Sequence, residues 1–79
     1  MDEQQRLLLE DKFFREQSEK ATAKLLEIGL SIDEISRIIK DYAKKYVAIK
    51  STPEGRQLLQ SSPFTFQMWL EVQPWYGSA

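Results

Sequence analysis

Any chemistry in this chain would have to come from carboxylates, phenols and amines, because the sequence has no histidine and no cysteine. Without His it lacks the commonest general base, the usual metal ligand and the standard catalytic triads. Without Cys it has neither thiolate metal sites nor a disulfide framework. Twelve acidic side chains remain, and most fall where helices favour them. Tyr42 and Tyr46 lie on one seam of a helix with no base beside them in sequence. They are expected to pack with their hydroxyls at the rim. No catalytic residue, metal ligand or cofactor motif is assigned, and the expectation is a protein that is not an enzyme and uses no cofactor.

What remains is contact. Arg37, Lys40 and Lys44 share a helix face at three- and four-residue spacing, with Lys45 and Lys50 nearby. Such a face suits phosphates or an acidic protein surface. Asp33 stands four before Arg37 and Asp41 four before Lys45, so a solvated face with locally answered charge is the plainer reading. The formal net charge of −1, from eleven basic and twelve acidic side chains, lacks the Lys and Arg excess usual in nucleic-acid binders. A second candidate set is aromatic: Phe64, Phe66, Trp69, Trp75 and Tyr76 fall within thirteen residues. Phe64 and Phe66 are expected to cap the core. Trp69, Trp75 and Tyr76 are the candidate partner-binding residues, since Trp and Tyr are frequent interface anchors. A tail folded back as a lid over its own core is the alternative.

These residues need a scaffold. Residues 3–28 lack Gly and Pro and are rich in helix formers. Leu7, Phe14, Ala21, Leu25 and Ile28 draw one stripe along a single helix, with a bend over 16–20 as the alternative. Asp11 with Arg15 and Glu16 with Lys20 form i,i+4 pairs on its other faces. Gly29 ends the helix. Ser31 and Glu34 then form a capping box, with Leu30 and Ile35 as its hydrophobic staple. Helix 32–49 follows, its seam made by Ile32, Ile35, Ile39, Tyr42, Tyr46 and Ile49 and widened by Ile38, Ala43 and Val47.

The run from Leu25 to Ile39 resembles the turn and second helix of bacterial helix-turn-helix regulators, with Gly29, Leu30, Ser31, Ile35 and Ile38 matching the pattern. The resemblance implies that Ile32, Asp33, Ser36, Arg37 and Lys40 would face the major groove. A capped corner between two packed helices shares most of those features. Leu25 stands where such motifs usually have a small Ala.

Ser51–Gly55 is the next break, with Thr52 as cap and Pro53 opening a short helix over 53–61. Residues 63–73 read either way. Phe64, Phe66, Met68, Leu70 and Val72 alternate as in a strand, whereas a helix capped by Ser62 would gather Phe66, Trp69, Leu70 and Gln73 on one face. Pro74 opens a tail over 74–79.

The expected fold is all-α: one domain over residues 1–79, a hairpin of two long helices followed by one or two short C-terminal helices. A chain this short buries only roughly 60–65% of its unfolded surface. Together with Leu7, Leu8, Leu9, Phe13 and Phe14 on more than one side of the first helix, that points to self-association as a homodimer. The acidic amino terminus and the absence of long apolar runs point to a cytoplasmic protein with no membrane span. The function expected is a small regulatory or inhibitory adaptor that binds another protein, of the kind phages, plasmids and secretion operons encode. A DNA-binding regulator using helix 32–49 is the alternative, and a structural subunit of a larger assembly is the third.

Overall fold

The structure, a computed structural model, describes residues 3–76. Five helices occupy them: α1 (Glu3–Glu10), α2 (Lys12–Glu27), α3 (Ile32–Lys50), α4 (Pro53–Ser61) and α5 (Phe66–Glu71). There is no strand among the described residues. The long helices α2 and α3 form a hairpin, and the short α4 and α5 follow it. Phe14, at the start of α2, stacks on Tyr42 and meets Tyr46 at a tilt in the second half of α3, which makes the pair antiparallel.

The expected single helix over 3–28 is divided, and the break lies at Asp11 rather than within 16–20. Asp11 leaves helical geometry (φ −100°, ψ 105°), and its carboxylate accepts the amide of Phe14 at 2.9 Å as the N-cap of α2. It makes no surface pair with Arg15 of the kind its spacing suggests; its ion pair is with Lys50 of α3. The break lets Leu7 and Phe14 both reach the core, with Phe13 packed at its edge. Leu8 and Leu9 stay exposed at 36% and 64%.

The corner between α2 and α3 is built locally. Gly29 takes a positive φ of 93°, and the Leu30 amide reaches back to the carbonyl of Leu25, which closes the end of α2. Both halves of the capping box form, between the Ser31 hydroxyl and the Glu34 amide and between the Glu34 carboxylate and the Ser31 amide. Those two bonds also hold the Glu34 carboxyl below its ordinary range.

Past α3, Thr52 caps α4 and Pro53 takes its first turn. Gly55 is needed there for space: a Cβ on it would sit 1.8 Å from the carbonyl oxygen of Ile49, so the start of α4 presses against the end of α3. Residues 63–73 resolve as a short helix, α5, whose cap is Thr65 and not Ser62. Pro63 therefore lies in the connection before it. Of the tail, residues 77–79 lie outside the described residues.

The core runs along the hairpin through Phe14, Ala21, Leu25, Ile35, Ile39, Tyr42, Ala43 and Tyr46. Phe66, Trp69 and Leu70 of α5 close it. Four of the six α3 seam positions, Ile35, Ile39, Tyr42 and Tyr46, are buried, whereas Ile49 is half-buried and Ile32 is 66% exposed.

Candidate functional site

Three places gather polar or exposed contact residues. The first surrounds Tyr42, which is fully buried. Its ring stacks on Phe14 and Phe64 and meets the edges of Phe66 and Trp69, all with centroids within 5.8 Å. Its hydroxyl donates to the carbonyl oxygen of Phe64 at 2.6 Å, while the amide of Phe66 donates to Gln17 Oε1 at 3.0 Å. Two polar side chains of the hairpin thus satisfy the backbone of the extended segment before α5 and fix where the arm enters the core. Burial pushes the Tyr42 phenol above its ordinary range, helped by Tyr46 and by the charge of Asp11. This ring is held as a neutral donor, and nothing beside it favours the phenolate. Among the described residues, one buried side-chain group lacks a partner: the hydroxyl of Ser18, on the stripe between Phe14 and Ala21.

The second place is a polar knot at the α1–α2 break. Asp11 accepts three donors: the Phe14 amide, the Tyr46 hydroxyl at 3.0 Å and the Lys50 ammonium at 2.7 Å. Burial opposes its charge, but Lys50, the Phe14 amide and Tyr46 together outweigh it and hold the carboxyl below its ordinary value. Tyr46 is pushed the other way, first by burial and then by its bond to the Asp11 carboxylate. The base that Tyr46 lacks in sequence therefore exists in space, 35 positions away. With Lys50 also on its carboxylate, Asp11 stabilises the neutral phenol and does not activate it. An open groove of about 720 Å³ lies beside the knot, lined by Arg6, Glu10, Asp11, Lys12 and Lys50, with Leu7 and Val47 as its apolar walls. Its charges are mixed, and it selects no single ligand class.

The third place is the outer surface. Arg37, Lys40, Lys44 and Lys45 are all exposed on α3, and Asp33 and Asp41 are exposed on the same helix. Within α3, Ile32, Asp33, Ser36, Arg37 and Lys40 face solvent as well.

The aromatic candidates separate. Trp69 is 5% exposed and belongs to the core against Tyr42 and Phe66, so it is not available to a partner. At i, i+3 and i+4, Phe66, Trp69 and Leu70 all face the hairpin, which leaves Trp69 no outward side. Phe66 is buried and Phe64 packs against the core, as capping residues do. Trp75 remains 45% exposed and meets the Tyr76 ring edge-on at 6.1 Å, while Tyr76 itself packs against the core.

Residues that sequence reasoning passed over complete the picture. Met68 and Val72, one turn apart on the opposite side of α5, are 49% and 75% exposed. The strand-like alternation of 64–72 hid them, because it places both on the same side as Phe66 and Leu70. Glu71 is the only charged side chain after Arg56. Among the described residues no helix is long and apolar enough to cross a membrane, and no group of three or more side chains is placed to hold a metal ion.

Compared with protein-family models, curated proteins and solved structures, the chain matches none.

Proposed function

We propose that this protein is a small non-catalytic adaptor, regulatory or inhibitory, that acts in the cytoplasm by binding protein. The observation that supports this reading is the outward side of the C-terminal arm. Met68, Val72 and Trp75 expose large apolar surface in a stretch whose only charged side chain is Glu71. Depletion of charge around exposed aromatic and apolar residues is the composition of an interface centre. A solvated surface of the kind α3 carries has the opposite composition.

The test compares the proteins retained by immobilised wild-type chain with those retained by a Val72→Glu chain of equal helicity. The reading expects a retained protein, this chain itself included, that the variant loses. Identical retention by both chains counts against it. Retention of duplex DNA at low salt, lost on charge reversal of Arg37, Lys40 and Lys44, would point instead to the α3 face and a DNA-binding regulator.

A further inference from the structure

We infer that the break at Asp11 is a switch: α1 and α2 rejoin as one straight helix when Asp11 loses its partners on α3. The local sequence favours the straight form. Residues 3–27 contain neither Gly nor Pro, and Leu9, Glu10, Lys12 and Arg15 around the break are strong helix formers. The backbone is also nearly helical across it. The Asp11 amide donates to the Leu7 carbonyl at 2.9 Å and the Arg15 amide to the Asp11 carbonyl at 3.0 Å, the i to i−4 spacing of an unbroken helix. Between them three rungs are missing. The amides of Lys12, Phe13 and Phe14 do not bond the carbonyls of Leu8, Leu9 and Glu10, and the Asp11 carboxylate replaces one of the three. Helical geometry at this one residue restores the ladder.

Contacts from α3 hold the bend against that preference. One oxygen of Asp11 caps the Phe14 amide, and the other accepts both the Tyr46 hydroxyl and the Lys50 ammonium. The same two α3 side chains brace the first turn of α2: Tyr46 stacks on Phe13 at 5.9 Å, and the Lys50 ammonium lies 5.4 Å from the centre of the Tyr46 ring. On α1 itself, Leu7 is the buried side chain between Gln5 and Glu10. A local preference opposed by one charged lock and one apolar contact makes a two-state element. On the straight helix Leu7 keeps the stripe of Phe14 but stands roughly 10 Å further along the axis, level with the last turn of α3. The rest of α1 then projects past the hairpin. Throwing the switch therefore turns a tucked α1 into a free helix that presents Leu7, Leu8 and Leu9 together, whatever the C-terminal arm binds.

Spin-label distances in the full chain test the switch. The sequence has no cysteine, so Gln5→Cys and Ala23→Cys, both at exposed positions, take labels at those two sites alone. A straight helix sets their Cα atoms roughly 27 Å apart, and the bent wild type should give a shorter distance. Asp11→Ala removes cap and lock together and should move the distribution to the straight value with no loss of helical circular dichroism. Lys50→Gln keeps the cap and should raise the ratio of straight to bent form at least roughly tenfold. Ser31→Ala, which removes a cap at the other end of α2, should leave the distance unmoved. An Asp11→Ala chain that folds with the wild-type distance overturns the inference. So does one whose distribution broadens while helicity falls, because α1 has then frayed instead of rejoining α2. If Asp11→Ala does not fold, Lys50→Gln decides. An unmoved Lys50→Gln distribution overturns the inference in either case, since α3 then does not hold the lock.

Discussion

The two sides of α5 carry similar side chains and do different work. On the inward side Phe66, Trp69 and Leu70 are at most 5% exposed, locked between Tyr42 and the hairpin. On the outward side Met68 and Val72 stand in solvent, and Trp75 follows three residues later at 45% exposure. Residue type does not separate the two groups, since each contains a tryptophan and large aliphatic side chains. What puts Met68 and the C-cap Val72 outside is their phase around a six-residue helix whose entry is fixed by Tyr42 and Gln17, whereas Trp75 lies beyond that helix. An aromatic-rich segment can therefore hold a fold together with one edge and offer contact with the other.

That contrast is open to direct attack. The largest effect is expected on the inward side: Trp69→Ala should cost about 3–5 kcal/mol in urea unfolding, enough to abolish cooperative folding in a domain this small. A loss under 1 kcal/mol would show that the arm is not seated. Next is acid. The Asp11 carboxyl titrates lower in the folded chain than in the unfolded one. The stability it supplies is thus fully present above the unfolded value, near 4, and is lost as pH falls through the folded value. The stability gap between wild type and Asp11→Asn should be about 2 kcal/mol near neutrality and shrink below pH of about 4. A gap that stays constant with pH would remove the charge from the account.

Smaller effects follow. Tyr42→Phe deletes the bond to the Phe64 carbonyl while keeping the ring, and should cost about 1–1.5 kcal/mol, read as a lower urea midpoint with unchanged slope. Ser18→Ala runs the opposite way. It removes a buried hydroxyl without a partner and substitutes the better helix former, so a gain of about 1 kcal/mol and a rise in Tm of roughly 4–8 °C are expected. A destabilised Ser18→Ala would mean that the hydroxyl has a role in the fold. Smallest is the outward side: Val72→Ala, at a position 75% exposed, should change the stability of the chain by less than about 0.5 kcal/mol. Should it match Trp69→Ala, the comparison between the two sides collapses.

How far the sequence reaches can be judged from particular residues. Ser31, Glu34 and Gly29 announced the corner because capping is local, spanning three or four residues. Asp11 was misread because its decisive partners, Tyr46 and Lys50, lie 35 and 39 positions away. Its i,i+4 spacing to Arg15 offered an ordinary surface explanation that the fold does not use. Gly55 was legible as a break, but its close approach to the Ile49 carbonyl was not.

By itself, then, the sequence determined the all-α class, the antiparallel pairing of two long helices across a short capped corner, and the absence of histidine and cysteine chemistry. Periodicity, caps and composition are properties of neighbouring residues, and the chain states them directly. Only the tertiary structure decided where the first helix breaks, that Trp69 is interior while Val72 and Trp75 are outside, and that Tyr46 meets a carboxylate. Each of those depends on which distant element supplies the other half of a contact, and helical phase within a short segment is set by the surface it lands on.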